Sequence, residues 1–132
     1  MADREQNLLN QAHQLGITTH LTRDLPAGRR GEWNATTREI FIRDGMSDTQ
    51  RVCTLQHELI HAEWGHDGHQ SEYVERRVNE EAAVRLISAS EYPLAEITYG
   101  CNRLILAREL HVTPTIIDAY QRVLERILRT PD

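Results

Sequence analysis

Residues 54–70 read TLQHELIHAEWGHDGHQ, and this stretch holds four of the chain's seven histidines, His57, His61, His66 and His69. At its centre stands His57-Glu58-Leu59-Ile60-His61, an HExxH pattern. Residues four apart on an α-helix lie one turn above each other, so both imidazoles reach one zinc ion at about 2.0–2.1 Å. Glu58 is offset around the helix by one position. There it misses the metal and acts as general base toward a water on it. With seven His and thirteen Glu in 132 residues, the pattern arises by chance about 0.04 times per chain, so its placement matters. Ser47 or Asp48 caps a helix whose apolar stripe is Val52, Leu55, Leu59 and Ala62 and which stops near Gly65. The stripe faces a core, and the histidines share another face.

Two histidines are one ligand short of a catalytic zinc site, which takes three protein ligands and an open position. Downstream, VNEEAAVRLIS offers Glu80 and Glu81 on a second long helix predicted over roughly residues 72–89, with Val74, Val78, Ala82 and Leu86 recurring every four. Glu80 stands in an Asn79-Glu80-x-x-Ala83 context that resembles the glutamate helix of gluzincins, with Glu81 in reserve. His66, Asp67, His69 and Glu72 follow the motif too closely to return to it and read as rim residues. Cys53, one turn before His57, reads as a small buried hydrophobe.

Outward from this pair of helices, the chain predicts a first helix over roughly residues 4–15 carrying Leu8, Leu9, Ala12 and Leu15, ended by Gly16. Three short strands follow, in ITTHLT and in GEWNATTREIFIRDG, the latter a hairpin turning near residues 34–37. The last strand, Glu39–Arg43, has Ile40 and Ile42 on one face and Phe41 on the other, and leads directly into the motif helix. We expect it at the sheet edge, where a substrate strand would add. Pro93 reads as punctuation, and the stretch from Asn102 onward as two helices split at His111-Val112-Thr113-Pro114, with Thr113 as cap and Pro114 at the first helical position. The expected architecture is a single α+β domain over residues 1–132, with a core over 1–90 and a helical tail over 91–132 packed on it.

Composition narrows the function classes. All fifteen basic residues are arginine, which excludes lysine Schiff bases, lysine general bases and a P-loop lysine. A net charge of −5 gives no electrostatic case for nucleic-acid or membrane-surface binding by the whole chain. Two cysteines, Cys53 and Cys101, are not a disulfide scaffold, the start MADREQNLL lacks a signal-peptide apolar region, and no apolar run reaches the length of a membrane span. We therefore expect a cytoplasmic protein with reduced thiols.

At this point the chain resembles the ImmA/IrrE family of metallopeptidases over nearly its whole length. QAHQLGI and RDLPAGRRGEW resemble the family's lead-in, REIFIRDG its strand before the motif, and QRVCTLQHELIHAEWGH its HExxH helix with the following Gly-His. NEEAAVRLISASEYP resembles its glutamate helix running to a proline. The resemblance implies a zincin-like fold: a small three-stranded sheet packed on the HExxH helix and a glutamate helix, with a helical tail. It implies zinc, Zn2+, held by His57, His61 and Glu80, with Glu58 as catalytic base. Aligned on Pro93, Val84 stands where the family usually has Asn or Asp. That residue often holds a histidine's second ring nitrogen in gluzincins, so another carboxylate or a backbone carbonyl must orient the ring.

The resemblance further implies a zinc endopeptidase of narrow specificity, of the phage or mobile-element type, that cleaves a repressor-like DNA-binding regulator. Tyr73, Tyr99, His69 and the arginines are open choices for stabilising the oxyanion. The competing reading is a regulatory protein-binding or DNA-binding module. LILARELHVTPTIIDAYQRVL fits a helix-turn-helix template through Ala107, Ile117 and Tyr120. His111 stands where that turn usually wants glycine, and residues 102–132 hold five arginines and four acids, so nucleic acid is the weaker expectation.

Overall fold

Local sequence signals set the element boundaries in the computed structural model, which describes residues 2–129. The fold is α+β: among the described residues there are six helices and one small three-stranded mixed sheet. Backbone contacts group the chain into two compact units, Met1–Ser71 and Glu72–Asp132. The boundary between these units falls between the motif helix and the next helix. The expected domain reaches at residues 1 and 130–132 beyond the described ones.

The first unit contains α1 (Ala2–Gln14), β1 (Thr18–Thr22), β2 (Gly31–Asn34), β3 (Glu39–Arg43) and α2 (Asp48–Glu63). Leu8 and Ala12 of α1 are buried, and Arg51 of α2 donates to both oxygens of Glu5, tying α1 to the start of α2. The hairpin turn is built by Asn34, whose side-chain oxygen accepts from the backbone N–H groups of Thr36 and Thr37. This is the local side-chain bonding that makes Asn a turn residue.

The strand order is β1-β3-β2, with β1 parallel and β2 antiparallel to β3. This corrects the expectation that Glu39–Arg43 is an edge: β3 is the central strand. It is the most apolar of the three, and the centre is where two flanking strands and a covering helix bury most. Ile40 and Ile42 accordingly lie in the core with Trp33 of β2. Both β2 and β3 pack against α2, and β1 and β2 are the two edges.

Two caps define α2. Ser47 accepts from the N–H of Gln50, and Gln50 reaches back to the N–H of Ser47, a full capping box. At the other end Trp64 is the C-cap and Gly65 takes φ +73°, which glycine adopts without strain. The N–H of Gly65 bonds to the carbonyl of Ala62 and that of His66 to the carbonyl of His61, the two bonds of a Schellman termination.

The second unit consists of α3 (Glu72–Leu86), α4 (Glu91–Tyr99), α5 (Arg103–Leu110) and α6 (Pro114–Arg129). Pro93 does not act as the stop expected from the sequence. It lies instead in the first turn of α4, where backbone N–H groups have no partner within the helix and a proline's missing donor costs little. Pro114 opens α6 as expected. The core of this unit combines Val78, Ala82 and Ala83 of α3 with Leu106, Ile117 and Tyr120, and the Tyr92 and Tyr120 rings meet at 4.7 Å. Asn102 caps α5 through the N–H groups of Leu104 and Ile105. His111 does take the left-handed conformation, φ 56°, that the turn between α5 and α6 demands, and a bidentate Arg103–Asp118 pair bridges those two helices. No helix among the described residues is long and apolar enough to cross a membrane.

Candidate functional site

One helical turn brings His57 and His61 together on α2, as their spacing requires. Their Nε2 atoms lie 3.1 Å apart and the rings meet at 68°. Two nitrogens bonded tetrahedrally to one zinc at 2.0–2.1 Å are about 3.3 Å apart. The two Nε2 atoms therefore converge at about the spacing of a zinc-type nitrogen donor set. His61 is buried and His57 half-buried, which leaves one side of the pair approachable.

Glu58 is 8% exposed. The bare backbone of Gly31 lets β2 approach it: a Cβ at Gly31 would stand 2.5 Å from Thr54 Cγ2, 3.2 Å from Glu58 Cγ and 3.3 Å from Glu58 Oε2. Gly31 was not singled out in the sequence, and its signal there is only a glycine opening a strand, which marks a close backbone approach. Gly31→Ala is expected to destabilise the chain by roughly 1–3 kcal/mol through overpacking against Thr54. Urea unfolding of the variant measures this, and an unchanged midpoint would refute the close packing of β2 on α2.

On the far side of the His61 ring, His61 Nδ1 and His66 Nδ1 are 2.8 Å apart. The indole N–H of Trp33 donates to the His66 carbonyl at 3.0 Å. The loop histidine read from the sequence as a rim residue is thus bonded directly to a motif histidine. Its neighbours Asp67, His69 and Glu72 are exposed, as a rim requires, and Cys53 is buried. Tyr73 and Tyr99 are both exposed.

Glu80, expected as the third zinc ligand, is instead the counter-ion of an arginine cluster within the second unit. It is 6% exposed. Arg126 donates to its Oε1 at 2.7 Å, Arg122 to Oε2 at 3.0 Å and Arg77 to Oε1 at 3.2 Å. Burial pushes its pKa up, but the bonds and charges of Arg126 and Arg122 outweigh that and hold it below the ordinary 4.5. Three guanidinium charges around one carboxylate disfavour a divalent cation at the same oxygens. The reserve residue Glu81 pairs with Arg85 at 2.9 Å. Val84, where the resemblance expects a polar partner for a histidine, is 50% exposed.

Comparison with curated proteins finds no match. Comparison with protein families matches residues 12–119 to the IrrE N-terminal-like domain, Peptidase_M78, a span that runs from α1 into α6 and includes the sheet and the HExxH helix. A match over most of its length, with convergent histidines and a glutamate between them at its centre, makes the chain a member of the Peptidase_M78 family of IrrE N-terminal-like peptidase domains.

Proposed function

We propose that the chain is a zinc-dependent endopeptidase of narrow specificity. The observation that carries this reading is the convergence of the His57 and His61 Nε2 atoms beside a nearly buried Glu58, in a chain of a peptidase family. His57 and His61 would hold the metal together with a carboxylate from α3. For that carboxylate we take Glu75 in place of Glu80, since the oxygens of Glu80 are held by arginines while Glu75 is a half-buried carboxylate on the same helix. Five positions separate Glu75 from Glu80, about 140° around a helix, so the two present opposite environments. When bound, zinc supplies a Lewis acid to the scissile carbonyl.

The chain's own residues supply the rest of the chemistry. Glu58 takes the proton of the attacking water and returns it to the leaving amine, the role a carboxylate one position past a ligand can fill. Its packing beside Gly31 keeps it next to strand β2, whose outer edge carries no strand partner among the described residues. A substrate strand adding to that edge would be read along its backbone and presented to Glu58. This moves the expected substrate edge from β3 to β2.

For the substrate we take one cognate regulatory protein of the repressor type, inside the cell, as the ImmA/IrrE resemblance implies. A single edge-strand groove gives modest affinity for a short peptide, so docking to a folded partner must supply the rest. The helix-turn-helix alternative is less favoured: Arg122 and Arg126 of α6, the cations such a helix would turn to phosphates, are bonded to Glu80. Incubation with casein and with a repressor-like regulator encoded near the chain's own gene tests the reading. We expect one or a few cuts in the regulator and little casein digestion. Efficient casein digestion with the regulator intact would overturn the specificity, and inactivity on both would favour the regulatory module.

A further inference from the structure

We propose that His66 is a positioning residue for His61. Its ring accepts a hydrogen bond from His61 Nδ1 and so holds His61 in the tautomer and orientation that turn Nε2 toward the metal. The inference rests on the metal site proposed above and adds a residue to its support. The geometry follows from how α2 ends. In a Schellman termination the residue two past the C-cap folds back over the third residue from the helix end, and that pair is ordinarily apolar. Here the pair is His66 and His61: their rings meet at 5.1 Å and 61°, with the two Nδ1 atoms 2.8 Å apart.

The main chain fixes His66 from both sides. Its N–H is bonded to the His61 carbonyl at 3.0 Å, and its carbonyl accepts from Trp33 Nε1 on β2 at 3.0 Å. The Trp64 ring stands edge-on to the His66 ring at 5.9 Å. The two nitrogens of His61 thus have separate partners, Nε2 facing His57 at 3.1 Å and Nδ1 facing His66. A metal on Nε2 requires the proton of the neutral ring on Nδ1, and a donating Nδ1 requires an acceptor. His66 supplies that acceptor with its own proton on Nε2. This replaces the expectation that a carboxylate or a backbone carbonyl orients the ring, and it does so where Val84 brings no polar group.

The size of the effect follows from the acceptor's charge. Loss of an outer hydrogen-bond partner typically costs 10–100-fold in metal affinity. A neutral imidazole orients the ligand without adding negative charge, so the lower end, about tenfold, is expected.

The test is a zinc titration of metal-stripped protein against a chromophoric zinc indicator, for the unmodified chain, His61→Ala, His66→Leu and His66→Asn. His66→Leu keeps side-chain bulk and both main-chain bonds but has no acceptor, and zinc affinity should fall about tenfold. His66→Asn places an amide oxygen near the position of Nδ1 and should recover most of the loss. Equal thermal midpoints of the metal-free variants would show that the helix end is intact. Unchanged affinity in His66→Leu, with binding abolished in His61→Ala, would overturn the positioning role alone. Equal weakening in His66→Leu and His66→Asn would also overturn it, because the ring's shape and not its acceptor would then matter. An unmodified chain that binds no zinc would overturn the metal site itself and the role of His66 with it.

Discussion

Glu58→Gln is expected to keep its zinc and to lose peptide cleavage by roughly 10²-fold or more. Glutamine has the volume and reach of glutamate, so the contacts of this side chain with the space beside Gly31 and Thr54 survive, and the fold with them. What is lost is the ability to take a proton from water at neutral pH and hand it to the departing amine. A ligand role for Glu58 would give the opposite pattern, since an amide is a poor substitute for a carboxylate on a zinc ion. Zinc content and kcat on the regulator substrate, measured side by side, separate the two. Retained zinc with full activity would remove Glu58 as the base, and lost zinc would make it a ligand.

Glu75→Ala and Glu80→Ala are expected to fail in different ways. The first should bind zinc at least about 100-fold more weakly, because a three-ligand site reduced to two histidines has lost its anionic donor. The second should keep its zinc and lose stability. Removing one partner of a fully buried ion pair costs about 3–5 kcal/mol. The arginines around Glu80 are 35%, 45% and 51% exposed, so water compensates part of their loss and about 2 kcal/mol is expected.

That contribution depends on pH with a definite sign. The folded-state pKa of Glu80 is lowered, because the guanidinium contacts outweigh the opposing effect of burial. Its stabilisation is therefore fully present above the ordinary value of 4.5 and is lost as pH falls through the lower folded value. Urea unfolding should show the unmodified chain and Glu80→Gln far apart at neutral pH and converging in acid. A gap that persists in acid would contradict the charge cluster. Zinc lost from Glu80→Ala but kept by Glu75→Ala would restore Glu80 as the ligand.

The parts of this molecule governed by short-range rules were legible in its sequence. The HExxH pair needs only the helical repeat, and α2 announced itself through the cap candidates Ser47 and Asp48 and the stop at Gly65. What escaped was set by long-range packing. Nothing in the strand spacing reveals that β1 and β3 pair in parallel, so the central place of β3 was not readable, although its Ile-Phe-Ile run was a hint. Glu80 sat in a family-like context, yet its fate depends on Arg122 and Arg126, 42 and 46 residues away. Pro93 shows the limit of a punctuation rule, because a proline ends a helix from its interior but is tolerated in a first turn. His66 was within reach: a glycine at a helix end followed by a histidine predicts a fold-back onto the residue three from the end, which here is His61.

A metal held by the α2 histidines underlies every role proposed for this site, and metal analysis of freshly purified chain tests it most directly. Mass-spectrometric metal content should give about one zinc per chain for the unmodified protein and none for His61→Ala, with both folded by circular dichroism. A chain that neither carries nor takes up zinc, or a His61→Ala variant with unchanged zinc, would contradict it.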